Sequence, residues 1–332
     1  MSNIENRYEL VFFVEAKNCN YNGDPDFDNL PRTDFETNRG YMTDVSIKRK
    51  IRDYIADAYE DKSGCEIFVR NGSNLNKSIA ECVIEASGDN KVEKGKKTVE
   101  ASEIAKKRFW DVRTFGGVLS TGLNAGQIQG AVQFNMPISC DEVETNQISV
   151  TRLAYTEKDF VELNKYDEYD ASLDDSKKRT IGKKTFAPYA LFECRAFVSA
   201  NLAKKNGFSE EDLNMLLEAI LNMYNYQTSA SKQGMSVVGP IIIFKHVGNT
   251  DVNNVEQRKR EALLGCYPAQ KLFKSISVNK KDNVEFPRDY TDYNATVDFS
   301  KIPSSVEIGF KYEPFTPVEW GELRDDEWFK KL

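Results

Sequence analysis

The chain has 332 residues, 40% hydrophobic, 29% charged and 11% aromatic, a composition that supports one large core or two modest ones and excludes a disordered segment. Its 45 basic and 52 acidic residues give a formal net charge of −7, which as an average argues against a nucleic-acid binder, although steering of phosphate depends on local fields. A single histidine, His246, six scattered cysteines without a Cys-x-x-Cys, and the absence of both Gly-x-x-x-x-Gly-Lys-Ser/Thr and Gly-x-Gly-x-x-Gly leave no frame for a Ser-His-Asp triad, a zinc site or a nucleotide loop.

Met1 to Arg7 lacks the order of a secretory signal, and no apolar run approaches the roughly 20 residues of a membrane span, so a cytoplasmic protein without cofactor or metal is expected. Tyr8 to Ala16 alternates Tyr8, Leu10, Phe12, Val14 and Ala16 with Glu9 and Glu15, the period of a strand. A polar loop rich in turn residues, Asn18 to Asp34, then feeds a helix that Thr43 can cap and that runs to about Glu60. Ile47, Ile51, Tyr54, Ile55 and Ala58 form its apolar stripe, and Lys48, Arg49 and Arg52 fall in one quadrant beside it. Those three bases fit a phosphate site near the helix start, and they fit a solvated amphipathic face as well.

Residues 61–126 form a long insertion with a helical pattern from Val99 to Trp110 and a charged approach, Lys91 to Lys97. Gln127 to Met136 reads as one strand, with Ile128, Gly130, Val132, Phe134 and Met136 on the core side and Gln127, Gln129, Gln133 and Asn135 on the other. Residues 139–187 are far more than a hairpin turn needs. Within them, 147–156 and 179–188 can pair as two arms, with an acidic run (157–175, eight acids) at the tip and a basic run, Lys177 to Lys184, on the returning arm. Ala190 to Leu202 alternates as a strand. Ser209-Glu-Glu-Asp212 is a capping-box start for a second helix striped by Leu213, Leu216, Leu217, Ile220, Leu221 and Tyr224. Val237 to Phe244 is a further strand, and the tail offers strands at Lys271 to Val278 and Val306 to Phe310.

The order strand, helix, strand, strand, helix, strand is that of a ferredoxin-like α+β domain, in which both helices cover one sheet face and leave the other free. RNA-recognition domains use such a face; plain solvation of a face lined by Gln and Asn explains the pattern equally well.

The segment Asn20-x-Asn22-Gly-Asp-Pro-Asp26, Leu30-Pro-Arg-x-Asp34 and Thr43-Asp-Val-x-x-Lys48-Arg-Lys-Ile-Arg52 resembles the opening of the backbone subunit of type I-C CRISPR surveillance complexes (Cascade), in the repeat-associated protein superfamily. The likeness continues in order through Asp111-Val-Arg-Thr-Phe-Gly-Gly117, Gln127-Ile-Gln-Gly-Ala-Val-Gln133, Pro188-Tyr-Ala-Leu-Phe192, Gly207-Phe-Ser-Glu-Glu-Asp-Leu213 and Pro268-Ala-Gln-Lys-Leu-Phe273. It implies a modified RNA-recognition palm (1–60, 113–144, 188–250), a helical fingers insertion (61–112), a thumb β-hairpin (145–187) and a C-terminal extension (251–332). It also implies several copies bound along one guide RNA (crRNA) with other Cascade subunits, presenting that RNA for pairing with target DNA and doing no cutting themselves.

Carried over by position, Lys48, Arg49 and Arg52 match the basic helix that holds guide phosphates, with Asn22 and Arg32 second. Arg113 with Gly116 and Gly117, and Lys232 in the polar loop Ser229 to Gly234, are further candidates; a turn and a simple connection account for those two segments as well. Tyr155 and Phe186 on the thumb arms are candidates for wedging against bases, or for packing against each other or a neighbour. The rival reading is a ribonuclease of the same superfamily that cuts with a loop aspartate, here Asp28 or Asp34.

Overall fold

The structure is a computed structural model that describes residues 2–88, 97–156, 159–174, 177–226, 229–249, 254–321, 323 and 328. The charged approach at 91–96 and Glu157, Lys158 and Asp175 of the acidic run therefore lie outside the described residues.

The chain opens on β1 (Tyr8–Cys19), followed by the short pair β2 (Gly23–Asp24) and β3 (Leu30–Pro31), by β4 (Arg39–Tyr41) and by α1 (Asp44–Ala58). The insertion holds α2 (Leu75–Ser87), α3 (Thr98–Arg108) and α4 (Trp110–Phe115), then β5 (Gly116–Val118) and β6 (Gln127–Gln129). Next come β7 (Val132–Phe134), β8 (Ile138–Glu142), β9 (Asn146–Arg152), α5 (Asn164–Ser172), β10 (Thr180–Val198), α6 (Ala200–Asn206), α7 (Glu210–Tyr226) and β11 (Met235–His246). The tail adds α8 (Val255–Leu264), α9 (Ala269–Phe273), β12 (Ile276–Lys280), β13 (Tyr293–Val297), β14 (Val306–Lys311) and β15 (Glu319–Trp320).

Nine strands form one large antiparallel sheet in the order β15-β14-β11-β1-β10-β8-β4, with β7 and β9 also paired to β10. On its first face Leu10, Phe12 and Val14 pack into the main core, which also holds Ile47, Ile51 and Ile55 of α1 and Leu213, Leu216 and Ile220 of α7. Ala58, expected in the α1 stripe, is exposed because the helix ends there.

The second face is not free. Val11 and Phe13 stand between Glu9 and Glu15 in the sequence and head a second core with Leu272 and Phe273 of α9, Tyr293 of β13, Phe310 and Trp328. Residues 8–16 of β1 are buried throughout, as in a central strand covered on both sides. The two carboxylates on that covered face are each satisfied. Glu9 accepts from Arg7 Nε at 2.7 Å and His246 Nε2 at 2.6 Å, while His246 Nδ1 accepts the Cys266 N–H at 3.0 Å. Glu15 accepts from Tyr189 Oη at 3.2 Å and the Tyr290 N–H at 2.7 Å, and pairs with Lys17. The only histidine is thus a core residue that ties the tail to β1.

Three sequence expectations change. Gln127 to Met136 is two strands, because a Cβ on Gly130 would stand 2.1 Å from the Phe115 carbonyl carbon. That close crossing lets β6 pair with β5 and sends β7 to β10. The strand ending at Val198 stops where Ser199 accepts a hydrogen bond from the Leu202 N–H, so Ala200 and Leu202 belong to α6. Lys271 to Phe273 is helical, and the strand begins only at Ile276.

The insertion packs α2 against α3 around its own apolar cluster, which takes in Phe68, Ile79, Val83, Ala105, Phe109 and Leu119. A buried ion pair ties α4 of this insertion to the start of α7. The Ser209–Asp212 capping box forms as read: Asp212 Oδ2 accepts from the Ser209 N–H at 2.9 Å, and Ser209 Oγ accepts from the Asp212 N–H at 3.2 Å. The same carboxylate takes Arg113 Nε at 3.1 Å and Nη2 at 2.7 Å, and Arg113 Nη1 donates to Gly64 O at 2.6 Å. Removing one side of such a pair strands the other in the core. Arg113→Ala is therefore expected to lower stability by about 3–5 kcal/mol, read as a fall in the urea midpoint with the slope unchanged; a shift under 1 kcal/mol would show that the pair holds nothing together.

Candidate nucleic-acid interface

The loop from Asn20 to Asp34 is held by its own polar side chains. Asn22 Oδ1 accepts from Thr43 N–H at 2.8 Å and Thr43 Oγ1 at 3.1 Å, so the start of α1 is fastened from outside, while the Thr43 side chain makes no cap bond itself. Arg32 Nη1 donates to Asp24 Oδ2 at 3.1 Å, and Lys232 Nζ donates to Tyr21 O at 2.5 Å. Asn20 Nδ2 reaches Asn29 O at 2.7 Å and Thr185 Oγ1 at 3.2 Å, which seats the loop against β10 at the root of the hairpin. The fold thus brings together Asn22, Arg32 and Lys232, which the sequence places up to 210 residues apart. Asn20 Oδ1 and Arg32 Nε are buried there without a hydrogen-bond partner.

Lys50 belongs to this cluster and was missed, since only Lys48, Arg49 and Arg52 stood out beside the stripe. Burial first, and the Lys50 charge second, push the Lys232 ammonium down to about 8, and burial lowers Lys50 as well. Burial disfavours both charges, a cost that a nearby anion offsets.

The three bases read as one open quadrant are sorted by the fold. Arg52 Nε lies 2.7 Å from Asp111 Oδ2, with 11% of the Arg52 and 1% of the Asp111 side chain exposed. Asp111 also accepts the Phe68 and Val69 N–H groups, so this pair anchors the insertion. Arg52 and Lys48 both lie over the Phe115 ring, and Lys48 pairs with Asp44 at 2.9 Å. Only Arg49, paired with Asp53 at 2.7 Å, keeps a largely open side chain. Arg52 and Arg113 are structural cations here: their guanidinium groups face carboxylates that cannot reach water.

The hairpin projects as read, with β9 paired to the first part of β10 from Arg152↔Thr180 to Asn146↔Phe186 and every residue of β9 exposed. Lys177, Arg179, Lys183 and Lys184 on the returning arm are exposed. Tyr155 packs near Tyr169 and donates to Asp170, while Phe186 is half-buried at the hairpin root. Of the loop aspartates, Asp34 accepts from Thr37 N–H, Thr37 Oγ1 and Glu36 N–H, which holds its carboxyl below the usual range, and Asp28 stands 3.7 Å from Lys183. Both read as turn residues, and no cluster of three metal-ligating side chains occurs among the described residues. No helix among them is long and apolar enough to cross a membrane.

These features define a mixed α/β protein built on one large antiparallel sheet, with polar and cationic side chains gathered where a projecting hairpin leaves it. Residues 6–298 match the family of the CRISPR-associated protein Cas7, and the chain belongs to that family. A relative described as CRISPR-associated protein Cas7 from Haloferax volcanii is 30% identical over 251 residues, covering 69% of this chain and 67% of its own length. Among solved structures, the chain is similar to a subunit of a "CRISPR RNA-guided surveillance complex, pre-nicking" at 15% identity and a TM-score of 0.43, covering 79% of this chain and 84% of that one. A second, a "CRISPR RNA-guided surveillance complex", is 15% identical with a TM-score of 0.42, covering 78% and 76%.

Single substitutions separate the two kinds of cation on α1. Arg52→Ala should cost roughly 3 kcal/mol by leaving Asp111 charged in the core, whereas Arg49→Ala should stay within about 0.5 kcal/mol. Thermal melts of the two variants check this, and equal shifts would remove the distinction.

Proposed function

We propose that this chain is the crRNA-binding backbone subunit of a type I-C CRISPR surveillance complex, assembling in several copies along the crRNA beside other Cascade subunits and presenting it to target DNA. It has no cutting role of its own. The observation that carries this reading is the family match across residues 6–298. The strand order β11-β1-β10-β8, with α1 and α7 packed on one face, supports a ferredoxin-like palm, since it is the 4-1-3-2 order of that arrangement. On this reading the palm is 1–60, 113–144 and 188–250, the fingers 61–112, the thumb 145–187 and the C-terminal extension 251–332.

Guide phosphates meet Lys232, Lys50, Arg32 and Asn22 at the hairpin root and the basic arm Lys177 to Lys184 above it. Lys48 and Arg49, whose carboxylate partners are at the surface, can exchange them for phosphate. Arg52 and Arg113 stay with their buried aspartates. Each lost phosphate contact should flatten the salt dependence of log affinity by about 0.7.

The Lys232 ammonium supplies a test that a merely structural lysine would fail. Free, it titrates at about 8; a phosphate beside it raises that value, so binding takes up a proton once the pH exceeds about 8. RNA affinity should be level below that pH and fall above it, by up to about tenfold per pH unit. Lys232→Arg, which stays charged, should bind with the pH dependence gone. An affinity that is flat through pH 9.5 in the unaltered protein would overturn the phosphate contact, and purification from the host without bound crRNA would overturn the function.

A further inference from the structure

The single histidine carries a chemistry that holding the tail to β1 does not use. His246 ends β11, Glu9 lies in β1 and Cys266 follows α8, so three distant segments meet at one imidazole. Glu9 Oε2 lies 2.6 Å from His246 Nε2, and the other Glu9 oxygen accepts from Arg7 Nε at 2.7 Å. On the far side of the ring, Nδ1 accepts the Cys266 N–H at 3.0 Å and stands 3.2 Å from Cys266 Sγ. A ring nitrogen that accepts a backbone N–H is unprotonated, so the imidazole proton sits on Nε2 and points at Glu9. Nucleophile, base and a carboxylate that orients the base stand in line.

The backbone sets this geometry. The Arg7 N–H donates to Ala262 O at 2.8 Å, Arg7 Nη1 to Leu264 O at 3.1 Å, and the His246 N–H to Arg7 O at 3.0 Å. The segment leading into Cys266 is thereby fastened to the strands that carry the base and the carboxylate. His246 and Glu9 are fully buried, whereas Cys266 is only half-buried. The next residue, Tyr267, and Pro303 line an open cleft of about 660 Å³ with Lys271, Lys274, Ser300 and Lys301. The other five cysteines have no histidine to pair with. Burial pushes the thiols of Cys19 and Cys82 up to about 11 and raises those of Cys65, Cys140 and Cys194.

We propose that Cys266 is a redox-active thiol, with His246 as its base and hydrogen peroxide as its oxidant. The thiol has two acceptors in reach, His246 Nδ1 and Ser305 O at 3.1 Å. When its proton passes to Nδ1, the Glu9 carboxylate stabilises the imidazolium, and the Cys266 N–H displaced from Nδ1 is left beside its own sulfur anion. Ser305 O keeps the Val247 N–H at 2.9 Å and is freed to accept one O–H of the peroxide. The sulfur attacks a peroxide oxygen and the O–O bond breaks. Sulfur is oxidised by two electrons to the sulfenic acid, and the hydroxide that leaves takes the proton from Nδ1 and departs as water. This chemistry is separate from RNA binding and stands or falls without it.

The full, unaltered chain treated at pH 7 with hydrogen peroxide and dimedone should be trapped at Cys266, as read by peptide mass spectrometry. The rate should exceed that of N-acetylcysteine about fivefold or more, because a free thiol is only a few per cent thiolate at that pH. Accessibility cannot produce such an excess, since a half-buried sulfur is the less exposed of the two. The other five cysteines should stay unlabelled over the same interval. Glu9→Gln should bring Cys266 down to the rate of N-acetylcysteine while its thermal melt stays cooperative. A Cys266 rate at or below that of N-acetylcysteine in the unaltered chain overturns the proposal, and this measurement decides the matter even if Glu9→Gln fails to fold. Equal rates in a folded Glu9→Gln and the unaltered chain overturn the relay. Fast alkylation by iodoacetamide with slow oxidation overturns the assignment of peroxide.

Discussion

Continuity of one strand is the constraint on which the rest of the structure depends. A compact domain of this length has a diameter of about 50 Å, and β10 at 19 residues is longer than that when extended, about 60 Å. It therefore cannot lie wholly inside. Its second half is the neighbour of β1 in the centre of the sheet, and its first half leaves the body paired, among the described strands, with β9 alone. The returning arm of the hairpin is thus continuous in backbone with the central strand of the sheet. The loop carrying Asn20 and Asn29 meets this strand at Thr185, where it passes from buried to exposed. The candidate RNA contacts cluster at that transition because backbone, loop and two lysines all converge on it.

Charge in this molecule is divided between holding the fold and remaining available. Two buried structural pairs, Arg52–Asp111 and Arg113–Asp212, both fasten the insertion, one to α1 and one to α7. Each carboxylate also accepts backbone N–H groups, so neither arginine can leave without exposing a buried anion to an apolar environment. At Lys50 and Lys232 burial instead disfavours the charge and lowers both ammonium groups, with the Lys50 charge adding to the effect on Lys232. A net charge of −7 thus coexists with local cationic sites, and one dense acidic run sits on the hairpin tip, away from the hairpin root.

The tail converts what would be an open sheet into a two-sided core. Glu9 and Glu15, on the central strand, are buried, with only 0% and 3% of their surface exposed, and would be intolerable without donors. Arg7, His246, Tyr189 and the Tyr290 N–H supply them, and Tyr290 comes from the segment that also brings Tyr293 and Trp328 over the sheet. The sheet's centre is consequently covered on both faces, and the polar and cationic side chains gather at the hairpin root instead.

Local pattern alone determined the parts whose residues are close in sequence. The apolar stripe of α1, the capping box of α7, the strands at β1 and β11 and the pairing of the hairpin arms were all legible, because period and capping chemistry act over a few residues. The break at Gly130, the turn from strand to helix at Ser199 and the covering of the second face were not. Val11 and Phe13 were in view between Glu9 and Glu15, but whether that side of β1 met water or the tail depended on residues nearly 300 positions away. The same limit governed the site. Asn22, Arg32 and Lys232 were identified and do converge, whereas Arg52 and Arg113 looked alike as free cations until the fold placed Asp111 and Asp212 against them. Sequence specifies which side chains carry charge; only tertiary structure decides which charges find a buried partner, because the desolvation and pairing that separate a structural arginine from a ligand-binding one arise when distant segments exclude water between them.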